Sequence, residues 1–92
     1  MASPLRFVYV LRSLANPDRH YVGLTSNVAA RLAAHNAGQS AHTAKYRPWK
    51  VLVAIEFADA TRAPSFERYL KSCSGRAFAL RHFGDGPERP DS

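Results

Sequence analysis

Three apolar stretches of the chain predict strands. Residues 5–11 and 49–57 are rich in β-branched and aromatic side chains, which is typical of strands. The near-continuous apolarity of residues 5–11 indicates burial on both faces, and therefore a central position in a sheet. Residues 20–24 follow the turn sequence Asn16-Pro17-Asp18, so they predict the returning strand of a hairpin.

The segment after this hairpin predicts an amphipathic helix. Its N-terminal cap lies within residues 25–27, and Gly38 is a natural stop. The apolar stripe of this helix consists of Val28, Ala29, Leu32 and Ala33. Residues 39–48 are polar and basic, and we expect a loop there before the third strand.

The segment after the third strand predicts a second helix, capped by Thr61 and tolerant of Pro64 in its first turn. Its core stripe consists of Phe66, Tyr69, Leu70 and Cys73. This position favours a buried structural thiol for Cys73 over a nucleophile. Gly75 allows a break, and a short third helix is expected to follow up to residue 83.

The predicted order is β-β-α-β-α-α, an α+β fold with a small three-stranded antiparallel sheet flanked by helices. A chain of 92 residues fits one domain, which we assign to residues 1–83, and residues 84–92 predict a flexible acidic tail. We expect a cytoplasmic protein, because no apolar run is long enough for a membrane span, no secretion signal is evident, and one cysteine excludes an internal disulfide.

Charge indicates a polyanionic partner. Thirteen Lys and Arg residues oppose seven Asp and Glu residues, a net charge of +6. Residues 84–92 hold three of those acids and one arginine, so the rest of the chain is more basic than the whole. A basic folded body favours nucleic acid as the partner, with solubility as the alternative role of the charge.

Familiar catalytic motifs are absent, but several polar groups stand at suggestive spacings. The sequence has no glycine-rich phosphate loop, no GxSxG elbow and no cysteine pair with zinc spacing. Tyr9 and Tyr21 lie on the two strands of the hairpin, and Arg31 and His35 share a helix face. Each of these residues could instead have a purely structural role. The tyrosines could be half-buried core residues, and Arg31 and His35 could lie on a solvated helix face. Glu67 could be the helix partner of Lys71.

Taken in order, these residues resemble the GIY-YIG nuclease superfamily, in particular its small single-domain bacterial members. Phe7-Val8-Tyr9 is similar to the first triplet and Tyr21-Val22-Gly23 to the second. The helical Arg31-x-x-x-His35, the Arg47-Pro48-Trp49 sequence and Glu67 complete the series. The resemblance covers roughly residues 5–83. The first triplet lacks the Gly and Ile of the family, and Leu24 stands where the excision-repair members have a lysine.

The resemblance implies a metal-dependent endonuclease that hydrolyses phosphodiester bonds with one Mg²⁺ or Mn²⁺ ion. Glu67 would bind the metal, and Arg31 would contact the phosphate. Tyr9 would accept a proton from the attacking water and pass it to His35, while Tyr21 would position the water or the hydration of the metal. Family members differ in which tyrosine acts as the base, so that assignment stays open.

The basic loop is the expected contact with the nucleic-acid backbone. Its contributing residues are Thr43, Lys45, Tyr46 and Arg47. We expect DNA rather than RNA as the substrate, in branched, nicked or single-stranded form, a role in DNA repair, and a monomer. Two alternatives are a nucleic-acid-binding module with this fold and little activity, and a protein-interaction domain whose charge serves solubility.

Overall fold

A computed structural model describes residues 4–83, apart from the side chains of Cys73 and Ser74. Its elements are β1 (Phe7–Ser13), β2 (His20–Thr25), α1 (Val28–Asn36), α2 (Ala41–Ala44), β3 (Trp49–Glu56), a 3₁₀ turn (Ala60–Arg62), α3 (Ala63–Lys71) and α4 (Cys73–Phe83). The predicted α+β fold is confirmed. The predictions for the tail, residues 84–92, and for the thiol of Cys73 lie outside the described residues. Within residues 4–83, no helix combines the length and the apolar character of a membrane span.

The sheet has the order β2-β1-β3, and both pairs are antiparallel. This confirms the central position of the first strand, where Val8 and Leu11 are fully buried. The β1–β3 register shifts after Val10, which pairs with Val53, whereas Leu11 pairs with Val51. The extra residue in β3 is a bulge that bends this edge of the sheet.

The two faces of β1 serve two different helical layers, because alternate side chains of a strand point in opposite directions. Val8 and Val10 form one core with Ala63 and Leu70 of α3. The opposite face carries a second cluster toward α1, whose members are Tyr9, Leu11, Tyr21, Val28, Leu32, Tyr46, Trp49 and Val51. Polar side chains enter this second cluster, and it contains the candidate site.

Helix α1 begins at the predicted place but faces the sheet differently. The side chain of Asn27 caps it by accepting a hydrogen bond from the N–H of Ala30 at 3.0 Å. Ala29 and Ala33, predicted in the apolar stripe, are exposed. The helix instead buries His35, one turn beyond the half-buried Leu32. The predicted stripe was wrong at Ala29 and Ala33. His35 is buried because it has hydrogen-bond partners inside the protein, which the spacing of apolar residues does not reveal.

The predicted loop at residues 39–48 was also wrong in part, because it contains α2 and packs against α1. Trp49 donates its indole N–H to the carbonyl of Thr43 at 3.0 Å. Asn36 brackets the backbone of Trp49, accepting from its N–H at 2.6 Å and donating to its carbonyl at 3.1 Å. These bonds fix the segment between α1 and β3.

The entrance to α3 is a 3₁₀ turn rather than a helix cap at Thr61. Asp59 is the capping residue, and its carboxylate accepts from the backbone N–H of Thr61 at 3.0 Å. Pro64 lies in the first turn of α3, as expected. Tyr69, predicted in the core stripe, is 41% exposed.

The break between α3 and α4 falls at Ser72 rather than at Gly75. Ser72 is extended, and its hydroxyl donates to the carbonyl of Tyr69 at 2.6 Å. Gly75 lies inside α4, where a Cβ atom would overlap the same carbonyl. The glycine therefore permits close packing of the two helices and does not end one of them.

Candidate active site

Tyr9 places its hydroxyl inside the second cluster, under α1. The side chain is 1% exposed, and its Oη lies 3.1 Å from Nε2 of His35. The ring of Tyr21, on the adjacent strand, lies 6.1 Å away between centroids. Burial raises the pKa of Tyr9, and a hydrogen bond with Arg31 acts in the opposite direction. The two tyrosines of the hairpin therefore meet at one site.

His35 joins α1 to this site with both of its ring nitrogens engaged. Nε2 faces the hydroxyl of Tyr9, and Nδ1 lies 2.8 Å from Oγ1 of Thr43. The Tyr21 ring packs against the imidazole with a centroid distance of 4.7 Å. Burial lowers the pKa of His35, and the charge of Arg31 lowers it further, so the imidazole is neutral at pH 7.

Arg31 contributes the positive charge of the site. It lies one turn before His35 on α1 and is exposed. Hydrogen bonds to Tyr9, and more weakly to Tyr21, raise the pKa of the guanidinium. A cation held at the surface beside two hydroxyl groups can bind an anionic group such as a phosphate.

Glu67 stands on α3, which packs on the face of the sheet opposite to α1. Its Oε2 accepts from Nζ of Lys71 at 2.6 Å, and its side chain is 16% exposed. This is the helix pair that the sequence offered as the ordinary alternative. Lys71 borders the same groove as Tyr21, so the ion pair lies beside that groove.

At Glu67 the structure offers a cation one carboxylate, which is now paired with Lys71. Within residues 4–83, no group of three or more His, Cys, Asp or Glu side chains could hold a metal. A zinc site, which needs three or four protein ligands, does not fit. Magnesium commonly takes one or two carboxylates and completes its shell with water and substrate phosphate.

A groove of about 550 Å³ runs along β2, past Tyr21. Its cationic and imidazole-bearing residues are Arg19, His20, His42, Lys71 and Arg76. Asp18 is the one acid among the described residues that line it. Apolar side chains, among them Val22 and Leu80, line the rest. A surface of this kind suits a ligand that combines negative charge with apolar rings.

The four predicted nucleic-acid contacts separate into two groups. Lys45 and Arg47 are exposed, whereas Tyr46 is half-buried and packs edge-on against Trp49 at 6.5 Å. Thr43 is 1% exposed, and its hydroxyl faces His35. The structure therefore corrects the expectation for Thr43, whose hydroxyl is engaged inside the protein and is not offered to a phosphate.

Arg19, which directly follows the turn at residues 16–18, belongs to the basic surface. Its guanidinium lies 4.8 Å from the centroid of the Tyr46 ring, and Nζ of Lys45 lies 5.4 Å from the same ring. Two cations that the chain separates widely thus share one aromatic partner. No local pattern signals this pairing, because it depends on how the hairpin turn meets the segment after α2.

Comparison with known proteins agrees with this geometry. Residues 6–79 match the family model described as the GIY-YIG catalytic domain. The chain is 40% identical to a UPF0213 protein of Lacticaseibacillus paracasei, over 77% of this chain and 79% of that protein. It is 35% identical to the structure-specific endonuclease subunit SLX1 of Debaryomyces hansenii and 35% identical to that of Aspergillus fumigatus.

The two fungal relatives are much longer proteins. The matches cover 71% and 77% of this chain but only 23% and 20% of the relatives from Debaryomyces hansenii and Aspergillus fumigatus. The chain therefore spans about a quarter or less of the fungal proteins it resembles. No solved structure matches it.

Proposed function

The chain belongs to the GIY-YIG family, and from this premise we propose that it is an endonuclease that hydrolyses phosphodiester bonds in DNA with the help of one Mg²⁺ or Mn²⁺ ion. The names of the fungal relatives support nuclease chemistry. One structural observation carries the proposal for this chain: Tyr9, Tyr21, Arg31 and His35 converge on one site although they come from two strands and a helix.

Arg31 would bind the scissile phosphate. Its side chain is exposed, and the hydroxyl of Tyr9 raises the pKa of its guanidinium. A phosphate oxygen approaching from solvent would lie close to the tyrosine hydroxyls. Charge that accumulates on the phosphate during attack would then be stabilised by a cation already in place.

Tyr9 and His35 would remove the proton of the attacking water together. Burial raises the pKa of Tyr9, so free tyrosinate is scarce at neutral pH. The hydroxyl can still act if it gives its own proton to Nε2 of His35 while it takes one from water. The water oxygen then bonds to phosphorus, the bond to the leaving oxygen breaks, and that oxygen takes a proton from solvent. His35 returns to its neutral form by releasing its extra proton through Tyr9.

Glu67 would hold the metal ion through its carboxylate. When bound, the ion would supply Lewis-acid polarisation of the phosphate and stabilisation of the leaving oxygen. Lys71, the present partner of this carboxylate, carries a flexible ammonium group that can turn toward the substrate backbone. Metal dependence and the choice of ion are part of the proposal.

Substrate choice would depend on the groove beside Tyr21. Its cations suit a phosphate backbone, and its apolar wall suits bases that are not stacked in a duplex. We therefore propose DNA with branched, nicked or single-stranded character, and a role in DNA repair. The cytoplasmic location and the monomeric state predicted from the sequence stay predictions.

A binding module without activity is the second candidate function. The ion pair between Glu67 and Lys71 favours it, because a carboxylate with a lysine partner has a structural role of its own. Such a module would need the basic groove but neither a metal ligand nor the Tyr9–His35 contact.

A cleavage assay separates the two candidates. Purified protein is incubated with labelled linear, nicked, branched and single-stranded DNA and RNA in Mg²⁺, Mn²⁺ or EDTA, beside an Arg31→Ala control. The nuclease predicts products from DNA in the presence of metal and none from the control. Binding with no cleavage in any metal would favour the module.

A further inference from the structure

Thr43 is buried beside the proposed catalytic histidine, on the side of the imidazole away from Tyr9. Its hydroxyl lies 2.8 Å from Nδ1 of His35 and 3.5 Å from the carbonyl of Ser40. Its neighbourhood is fixed, because Trp49 donates its indole N–H to the Thr43 carbonyl. The direction in which this hydroxyl donates its own proton decides which nitrogen of the neutral imidazole is protonated.

One arrangement of the protons on Thr43, His35 and Tyr9 pairs each hydrogen-bond donor with an acceptor. The hydroxyl of Thr43 donates to the Ser40 carbonyl and accepts from Nδ1–H of His35. Nε2 is then unprotonated and accepts from the hydroxyl of Tyr9. Every donor has an acceptor in this arrangement.

The opposite tautomer leaves a donor without a partner. If Nε2 carried the proton, it would donate to the Tyr9 oxygen, and the tyrosine O–H could no longer donate to that nitrogen. The tyrosine O–H would then point away from its one buried imidazole neighbour, and Thr43 would have to turn its proton from Ser40 to Nδ1. A buried hydroxyl without an acceptor costs about 1–3 kcal/mol.

We propose that Thr43 is a positioning residue that holds His35 as the Nδ1–H tautomer, so that the lone pair on Nε2 faces Tyr9. The catalytic consequence rests on the proposed nuclease function, whereas the tautomer does not. In this form the imidazole can take the proton that Tyr9 gives up, and the resulting imidazolium keeps its Nδ1–H bond to Thr43. The opposite tautomer has no lone pair at the nitrogen that faces the tyrosine.

The test pairs two substitutions that separate the hydroxyl from the shape of the side chain. Thr43→Val removes the hydroxyl and keeps the shape, and Thr43→Ser keeps the hydroxyl. Thr61→Val, on the exposed 3₁₀ turn, is the matched control. The imidazole tautomer is measured by long-range ¹H–¹⁵N correlation spectra of each protein without nucleic acid, and the His35 signals are identified by their absence in His35→Gln.

We expect the Nδ1–H tautomer in wild type, Thr43→Ser and Thr61→Val, and a shift toward Nε2–H in Thr43→Val. The cleavage rate of Thr43→Val should be about 10- to 100-fold lower than that of wild type, the range typical of a misplaced reacting group. Thr43→Ser, which keeps the hydroxyl, should retain most of the wild-type rate. Thermal melts of all variants check that they fold.

Three outcomes would overturn the proposal: an Nε2–H tautomer in wild type, an unchanged tautomer in folded Thr43→Val, or cleavage by that variant at the wild-type rate. If Thr43→Val does not fold, the wild-type spectrum and the Thr43→Ser rate still decide. If wild type shows no cleavage on any substrate, the nuclease proposal fails, while the spectra continue to test the role of Thr43 at His35.

Discussion

Tyr9 of β1 stands directly opposite Gly23 of β2, and the tyrosine hydroxyl and ring occupy the space that a side chain at residue 23 would fill. The glycine of the second triplet thus makes room for the tyrosine of the first. With this space free, the Tyr9 ring lies across the strand pair and reaches His35 on α1. The two triplets together position the hydroxyl of Tyr9 against His35.

Gly23→Ala should therefore disable the site while leaving most of the fold intact. A Cβ atom at residue 23 would collide with the Tyr9 ring, which is rigid and 1% exposed, so the ring must shift. Overpacking of this kind costs about 1–3 kcal/mol. We expect a lower melting temperature and a loss of cleavage larger than the loss of DNA affinity.

Ala54→Ser is the matched control, since Ala54 faces Tyr9 from the other neighbouring strand and is exposed. It should melt and cleave like wild type. Wild-type cleavage by Gly23→Ala would show that the position of the Tyr9 ring does not limit the reaction.

Tyr9→Phe should lower the cleavage rate strongly and disturb the packing of the core only slightly. The change removes one hydroxyl from a buried ring and leaves Nε2 of His35 without its partner, at a cost of about 1–3 kcal/mol. Loss of a general base lowers rates by about 10²–10⁴-fold. Single-turnover cleavage of a labelled branched DNA measures the rate, and circular dichroism verifies the fold.

Tyr21→Phe is the informative comparison. Tyr21 is half-buried and its ring packs at a tilt against His35, and these ring contacts survive the substitution. We expect a smaller loss of rate than for Tyr9→Phe. The reverse order, with Tyr21→Phe inactive and Tyr9→Phe active, would exchange the roles of the two tyrosines.

The sequence predicted the sheet well because its signals are local. The apolar character of residues 5–11 indicated a buried central strand, and β1 is central. The turn at Asn16-Pro17-Asp18 indicated a hairpin, and β1 and β2 pair across it. Side-chain alternation and turn chemistry act within a few residues, so a single chain carries that information.

The interior positions of His35 and Thr43 could not be predicted in the same way. A histidine on a helix and a threonine in a polar segment are ordinary surface residues by spacing. Their burial becomes favourable only when each satisfies the other and Tyr9 satisfies the remaining nitrogen. Such reciprocal satisfaction joins α1, α2 and β1, and no helical or strand period describes it.

Burial of His35 should make stability depend on pH below neutrality. Its pKa is lowered in the folded protein, first by burial and then by the charge of Arg31, whereas in the unfolded chain it is near 6.5. Its contribution to stability is therefore fully present above about pH 6.5 and is lost as the pH falls toward the folded value, because the unfolded chain binds more protons there.

Urea denaturation at several pH values between 5 and 8 measures this dependence. The matched comparison is His42→Gln, which removes an exposed histidine. Wild type and His42→Gln should lose stability in parallel on acidification, and His35→Gln should show a flatter profile. Equal slopes for His35→Gln and wild type would contradict a neutral buried imidazole.

Arg19 and Lys45 should contribute to DNA binding through phosphate contacts. Both are exposed and lie against the ring of Tyr46. A protein of this size makes about 3–5 phosphate contacts, so the slope of log K against log salt should lie between about −2 and −5. Each substitution to alanine should weaken binding across sequences and reduce the magnitude of the slope by up to about 1.

Arg62→Ala is the charge-matched control, because Arg62 is exposed and lies on the 3₁₀ turn, outside the residues that line the groove. Fluorescence anisotropy at four salt concentrations suffices for all three variants. Affinity that does not change with salt in wild type, or equal losses in all three variants, would contradict a defined phosphate path.

Glu67→Gln should separate binding from chemistry. Glutamine keeps the size and helix propensity of glutamate, and loss of the pair with Lys71 costs about 0.3–0.5 kcal/mol, so α3 should form. An amide oxygen is a weak ligand for a hard divalent ion. Cleavage should fall by orders of magnitude, while DNA binding should be retained or strengthened, because one negative charge is removed beside the groove.

Glu56→Gln removes the same charge from an exposed position on β3 and should cleave like wild type. Affinity and cleavage are measured for all three proteins at one salt concentration, with Mn²⁺ titrated from zero. The metal site predicts that high Mn²⁺ partly restores cleavage to Glu67→Gln, since excess ion compensates for a weaker ligand by mass action. Equal cleavage by wild type and Glu67→Gln at every concentration would remove Glu67 from the metal site and leave it as the helix partner of Lys71.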